Sequence, residues 1–275
     1  MSNFETRMNI IKLLSFKNSL DEQQKGIELA LQEGVDFVLE CFAYDECVGN
    51  CAKIITSLSY EQSEQHFDYL LMLLQDLHFS WQEQIFKYIV KAPIEMLVPS
   101  FKKSLSYAIA DEDYLRIFVL IQMLDENNAL RLVVREEPRS NEILNIISSK
   151  CIIEKAKIIQ KLHCENQIKT QQEGIELALM EDDLNFIMRY SRKSQYAKNC
   201  AKVFCSLPYQ QCEQYFSELL NWMEDFNSVG AEEIFNYLSK APKSLVYKYV
   251  EKEIEFAEKN HRKDILDILN SLLKA

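Results

Sequence analysis

A chain of 275 residues, 48% apolar and 27% charged, is long enough for one large or two ordinary globular domains and too apolar to be disordered. Five Gly and five Pro leave too few tight turns for a sandwich, barrel or propeller, and neither a G-x-G-x-x-G nor a G-x-x-x-x-G-K-S/T phosphate loop is present. A net charge of −11 argues against nucleic-acid binding, which needs Lys and Arg against the phosphates.

The first sixteen residues carry Glu5 and no unbroken apolar run, so they do not read as a signal segment. The longest apolar stretches, 69–74 and 117–121, are too short to span a bilayer. A cytoplasmic protein without membrane contact is expected. Further along, Phe67, Leu70, Leu71, Leu74 and Leu77 recur at i, i+3, i+4, i+7 and i+10, one apolar helical stripe, with Ser59 and Gln62 spaced as a capping box ahead of it. The next helix, 81–91, ends where Pro93 withholds its N–H. Asp111, Glu112 and Asp113 place negative charge on the first turn of a helix over 114–124. Residues 127–151, with Pro138 among charged and Ser/Asn residues, read as a linker that includes a short helix after the proline.

Beyond that linker the chain starts again. The segment 23–31 returns at 171–179, Asn50-Cys51-Ala52-Lys53 returns at 199–202, and Lys91-Ala92-Pro93 at 240–242. With one inserted residue near Asp183, 31 of 71 aligned positions are identical between 23–93 and 171–242, far beyond chance. The stripe recurs as Phe216, Leu219, Leu220, Met223 and Phe226. The expected architecture is all-α: a HEAT-like antiparallel helical repeat, or α-solenoid, of two duplicated modules, 1–126 and 152–275, in which each hairpin buries its stripe against its neighbours.

Chemistry is sparse. No C-x-x-C or H-E-x-x-H occurs, and none of the four histidines has a second His or a carboxylate arranged with it as a metal face. Cys41, Cys47, Cys51, Cys200, Cys205 and Cys212 lie among apolar residues as reduced small hydrophobes, and no base is placed to activate a thiol. No metal, no cofactor and no enzymatic activity are expected.

Charge separates the copies more than it marks the whole. Residues 1–137 hold 22 acidic against 12 basic residues, whereas 138–275 hold 20 against 19. Within the matched region one window shares no residue at all, 38–49 against 187–198. The first carries Glu40, Asp45 and Glu46; the second carries Arg189, Arg192, Lys193 and Lys198. A position that changes sign inside a repeated framework is a surface. It reads either as a protein-binding face with Phe42 and Tyr44 as aromatic anchors, or as an ion-pair set joining Glu40, Asp45 and Glu46 to Arg189, Arg192 and Lys193.

The run from Leu219 to Ala231 resembles the pattern L-L-x-W-L-x-D-x-N-x-x-G-A, carried here by Leu219, Leu220, Trp222, Asp225, Asn227, Gly230 and Ala231. Preceded by an N-C-A helix and a Q-x-G-I-x-x-A segment, it is similar to small HEAT-like immunity proteins that accompany secreted toxins in bacterial polymorphic-toxin and contact-inhibition systems. The resemblance covers about 70 residues of each module. It implies an acidic protein that neutralises a cognate toxin by occluding its active surface, the partner being a basic toxin domain. The alternative is a non-enzymatic helical scaffold or adaptor for another protein or peptide.

Overall fold

A computed structural model of the chain describes residues 3–74, 77, 79–135, 150–223 and 228–274, and every regular element among them is helical. No helix among the described residues is long and apolar enough to cross a membrane. The residues fall into two compact units, Met1–Ile153 and Glu154–Ala275.

In the first unit α1 (Asn3–Leu14) and α2 (Leu20–Glu33) form a hairpin, and after it stand α3 (Val35–Glu40), a 3-10 turn (Cys41–Ala43) and α4 (Val48–Ser57). Then come α5 (Tyr60–Ser63), a second 3-10 turn (Glu64–His66), α6 (Phe67–Leu73), α7 (Ser80–Ile89), α8 (Ile94–Ala110), α9 (Tyr114–Glu126) and α10 (Asn128–Arg135). The capping-box spacing at Ser59 starts α5, where its N–H donates to Gln62 Oε1 at 3.0 Å. The stripe then differs from a single long helix. α6 starts after the 3-10 turn and ends at Leu73; Phe67, Leu70, Leu71 and Leu74 are buried, whereas Leu77 lies beyond the helix, half-buried and with φ 47°. Pro93 stands just before α8, and its carbonyl accepts from Met96 N–H at 3.1 Å.

The hairpin of α1 and α2 depends on a glycine. A Cβ on Gly26 would lie 2.8 Å from the Leu13 carbonyl carbon and 2.9 Å from Leu14 N, backbone that cannot swing aside. Alanine favours a helix by about 1 kcal/mol over glycine, but forcing the helices apart costs about 1–3 kcal/mol. We therefore expect Gly26→Ala to lower the urea midpoint, for a net loss of about 1 kcal/mol. A raised midpoint would show that the crossing relaxes freely.

Residues 128–135, assigned to a linker from sequence, are a helix of the first unit. Asn127 Oδ1 accepts from Leu130 N–H at 3.0 Å, its Nδ2 donates to the Val90 carbonyl at 2.8 Å, and Leu130 is buried. The boundary between units falls after Ile153. The proline segment and the short helix expected after it lie outside the described residues.

The second unit contains α11 (Lys150–Lys161, which runs across the boundary), α12 (Ile168–Ala178), α13 (Asn185–Tyr190), α14 (Ser194–Cys205), α15 (Tyr209–Cys212), a 3-10 turn (Glu213–Tyr215), α16 (Phe216–Trp222), α17 (Ala231–Leu238), α18 (Lys243–Lys259) and α19 (Lys263–Lys274). Phe216, Leu219, Leu220 and Met223 of its stripe are buried; Phe226 lies outside the described residues. Several of its hydrogen bonds and ring pairs have counterparts in the first unit. Asn50 Nδ2 donates to the Leu14 carbonyl at 2.8 Å and to Gln23 Oε1 at 2.9 Å; Asn199 Nδ2 donates to the Leu162 carbonyl and to Gln171 Oε1, both at 2.9 Å. The tilted ring pair Tyr60–Tyr88, 4.8 Å between centroids, has its counterpart in Tyr209–Tyr237 at 4.7 Å, and Tyr88 and Tyr237 donate to the Leu58 and Leu207 carbonyls. Glu112 and His261, each two positions before α9 and α19, share the rare left-handed backbone at φ 48° and 56°. Cys51 and Cys200 are fully buried, as are Phe67 and Phe216, while Phe86 is buried and Phe235 half-buried.

Candidate functional site

The window 38–49 leaves α3 as a 3-10 turn and re-enters the helical framework at α4. It is held to the loop after α1 by a backbone bond, Phe16 N–H to the Glu46 carbonyl at 2.9 Å. The corresponding window of the second unit is held by Cys164 N–H to the Gln195 carbonyl at 2.8 Å. The two windows share no residue, yet each is held by a like backbone bond. Tyr44, 43% exposed, and Asp45, also exposed, stand at the tip.

Phe42, expected as a second anchor, faces inward. It is 8% exposed and lies 5.5 Å from the Trp81 ring. The reason lies in an exchange between the units. Trp81 occupies the position of Gly230, and Leu73 that of Trp222. In the second unit a Cβ on Gly230 would lie 2.9 Å from Ala201 Cβ and 3.1 Å from Trp222 Cζ2, on a backbone at φ 91° that favours glycine, and the residue matching Phe42 is the small Ser191. In the first unit the indole comes from Trp81 instead, and Phe42 packs against it.

Glu40 and Glu46 find their partners inside their own unit. Arg7 holds Glu33 Oε2 at 3.2 Å and Glu40 Oε2 at 3.3 Å. Glu46 pairs with Lys17 and accepts from the Ser15 hydroxyl at 2.9 Å, and these bonds hold its carboxyl below the usual carboxylate range. A depressed pKa contributes stability above the unfolded value of about 4.3, and that contribution disappears as pH falls through the lower folded value. Glu46→Gln is therefore expected to narrow the stability difference between pH 6 and pH 3, with the variant and the parent converging at the acid end of a urea series. Equal separation at both ends would remove the ion pair as the cause.

In the second unit Arg189 lies on α13, Arg192 and Lys193 on the turn after it, and Lys198 on α14. Arg189 and Arg192 are exposed, and the Lys193 ammonium lies 4.8 Å from the Tyr190 ring centroid. The interior behind each window differs in kind. The first unit has Cys41, Cys47 and Ser15; the second has Tyr190, Tyr196 and His163 at those positions, with the His163 and Tyr196 rings edge-on at 5.1 Å. Three thiols meet in the first unit without a metal geometry, and among the described residues no group of three His, Cys, Asp or Glu side chains could hold a metal ion. Cys47 donates to the Ile11 carbonyl at 3.3 Å and burial pushes it up to about 11. Cys51 donates to Cys41, which raises Cys51 and lowers Cys41. Burial pushes Cys205 to about 12 and Cys212 to about 11, which keeps both as thiols.

Of the residues singled out from sequence, Tyr44, Asp45, Arg189 and Arg192 are thus exposed, Glu40 and Glu46 are paired within their own unit, and Phe42 is buried. Comparison of the chain with protein-family models, with curated proteins and with solved structures finds no match to any of them.

Proposed function

We propose that the chain is a non-enzymatic protein-binding protein built of two copies of one HEAT-like helical module, and that it acts as an immunity protein covering the active surface of a basic toxin domain. The observation that carries this reading is the window 38–49: a tip presenting Tyr44 and Asp45 on a fixed backbone anchor, with its whole sequence replaced in the other copy. Solvent-exposed, freely diversifying residues on a repeated internal frame are what partner discrimination requires, because the frame keeps folding independent of the contact. The acidic excess of residues 1–137 would steer a basic partner to that side of the chain. The matching hydrogen bonds of Asn50 and Asn199 support the duplicated-module part of the proposal.

The test is affinity capture from the native cell with the full chain as bait, then a growth assay of the captured protein expressed with and without it. A basic protein that arrests growth alone and is silenced by the chain supports the proposal. Capture of a non-toxic protein or peptide by the same surface supports the adaptor reading and rejects toxin neutralisation.

A further inference from the structure

A groove of about 380 Å³ runs between α6, α8 and α9 of the first unit. Its walls are Tyr69, Met72 and Tyr107, with Met72 39% and Tyr107 54% exposed, so apolar surface faces the opening. Its charges are unequal. Lys103 is matched by Asp68, whose carboxylate also takes the Ser100 hydroxyl. Arg116 instead lines the groove with its Nε donating to the buried Ser104 hydroxyl at 3.1 Å. A neutral hydroxyl fixes the guanidinium plane without offsetting its charge. The groove therefore carries a net positive charge inside the strongly acidic half of the chain.

The second unit lacks this chemistry at the corresponding places. Arg116 corresponds to Ile265, Ser104 to Glu253 and Tyr69 to Glu218, while the helices carrying them keep their lengths to within a residue. The cationic floor and aromatic wall are thus additions to a shared frame, not requirements of it. A planar guanidinium held by one nitrogen presents its remaining donors as a fork, the geometry a carboxylate accepts best. The volume falls in the lower part of the range of small-molecule sites, about 300–1,000 Å³.

We propose that this groove binds a small monoanionic carboxylic acid with an aromatic or branched apolar body, its carboxylate on Arg116 and its apolar part between Tyr69, Met72 and Tyr107. The site is independent of the protein-binding surface proposed above.

Titration of the full chain with 3-phenylpropionate, monitored by calorimetry and by amide chemical shifts, tests it. Saturable binding is expected, with shifts centred on α6, α8 and α9. The neutral amide of the same acid should bind about tenfold or more weakly, since it loses the charge-assisted bonds. Arg116→Gln should show the same loss, and Tyr107→Ala, at an exposed position with no role in the core, should also weaken binding if the aromatic wall takes part. Equal affinity for acid and amide, no saturation, or unchanged binding in both variants overturns the proposal. The tripeptide Gly-Gly-Phe separates a free acid from a chain terminus: tighter binding of the tripeptide than of 3-phenylpropionate would overturn the assignment to a small acid.

Discussion

Replacing Asn50 by Ala is expected to cost the first unit about 3 kcal/mol, and Asn199→Ala to cost the second about as much. Each asparagine is buried and ties three segments together. In the first unit Nδ2 donates to the last carbonyl of α1 and to Gln23 on α2, while Oδ1 accepts from Lys53 Nζ one turn along α4. Gln23 continues the network by donating to the carbonyls of Phe16 and Asn18, at 3.3 and 2.8 Å. Truncation strands the buried Leu14 carbonyl and takes the donor from the half-buried Gln23 amide oxygen. A stranded buried group costs its full desolvation, about 1–3 kcal/mol each, whereas a satisfied bond contributes only about 1 kcal/mol net. Asn50→Asp should be no better, because a carboxylate cannot donate to either oxygen. Urea unfolding with probes in each unit reads the effect: Trp81 reports the first and Trp222 the second. An Asn50→Ala variant within about 0.5 kcal/mol of the parent would mean that water satisfies these groups and that the network is not a structural tie.

Much of this frame is readable in the residues. Asn50, Gln23 and Gly26 all lie in the segments that return further along the chain, and a short polar or glycine residue repeated among apolar ones marks a buried bond or a close crossing. The helical stripe is readable too, because Phe67, Leu70, Leu71 and Leu74 keep a helical period. What the period does not reveal is the 3-10 turn at Glu64–His66, since all four residues follow the turn and keep their helical spacing whatever precedes them. The helix over 128–135 is hidden for another reason: Pro138 and the charged and Ser/Asn residues around it make the whole of 127–151 read as a linker, while the deciding facts, burial of Leu130 and the Asn127 bond to the Val90 carbonyl, are tertiary.

The candidate surface is legible in position but not in direction. Charge inversion locates the window; it does not show that Glu40 and Glu46 are matched by Arg7 and Lys17, which stand 33 and 29 residues earlier in the chain. Nor does it show that Phe42 is internal. One signal lies in the alignment of the two copies: Trp81 stands opposite Gly230, so a large ring in the first unit needs a neighbour to pack against, and the aromatic gained nearby, relative to Ser191, is Phe42. Paired size changes between repeats are therefore a sequence signal of core partners.

With Phe42 internal, the binding energy of the proposed interface rests on Tyr44, and Tyr44→Ala is expected to weaken a captured partner by about 1–3 kcal/mol, chiefly through a faster off-rate. The ring is large, stiff and partly exposed, so little entropy opposes its burial against a partner. Asp45 stands at the rim and, unlike Glu46, contributes through long-range charge. Asp45→Lys is expected to slow association of a basic partner at low salt and to flatten its salt dependence while leaving dissociation nearly unchanged. Neither change should move the unfolding midpoint, because both side chains lie outside the core. Glu46→Lys supplies the contrast: it sets two cations against each other at Lys17 and removes the acceptor of the Ser15 hydroxyl, so it should lower stability as well as affinity. The three variants thus separate three roles within one loop. Loss of stability in Asp45→Lys together with unaltered association would show that the tip serves the fold, and the partner surface would then have to be sought elsewhere, beginning with the exposed Arg189 and Arg192 of the second unit.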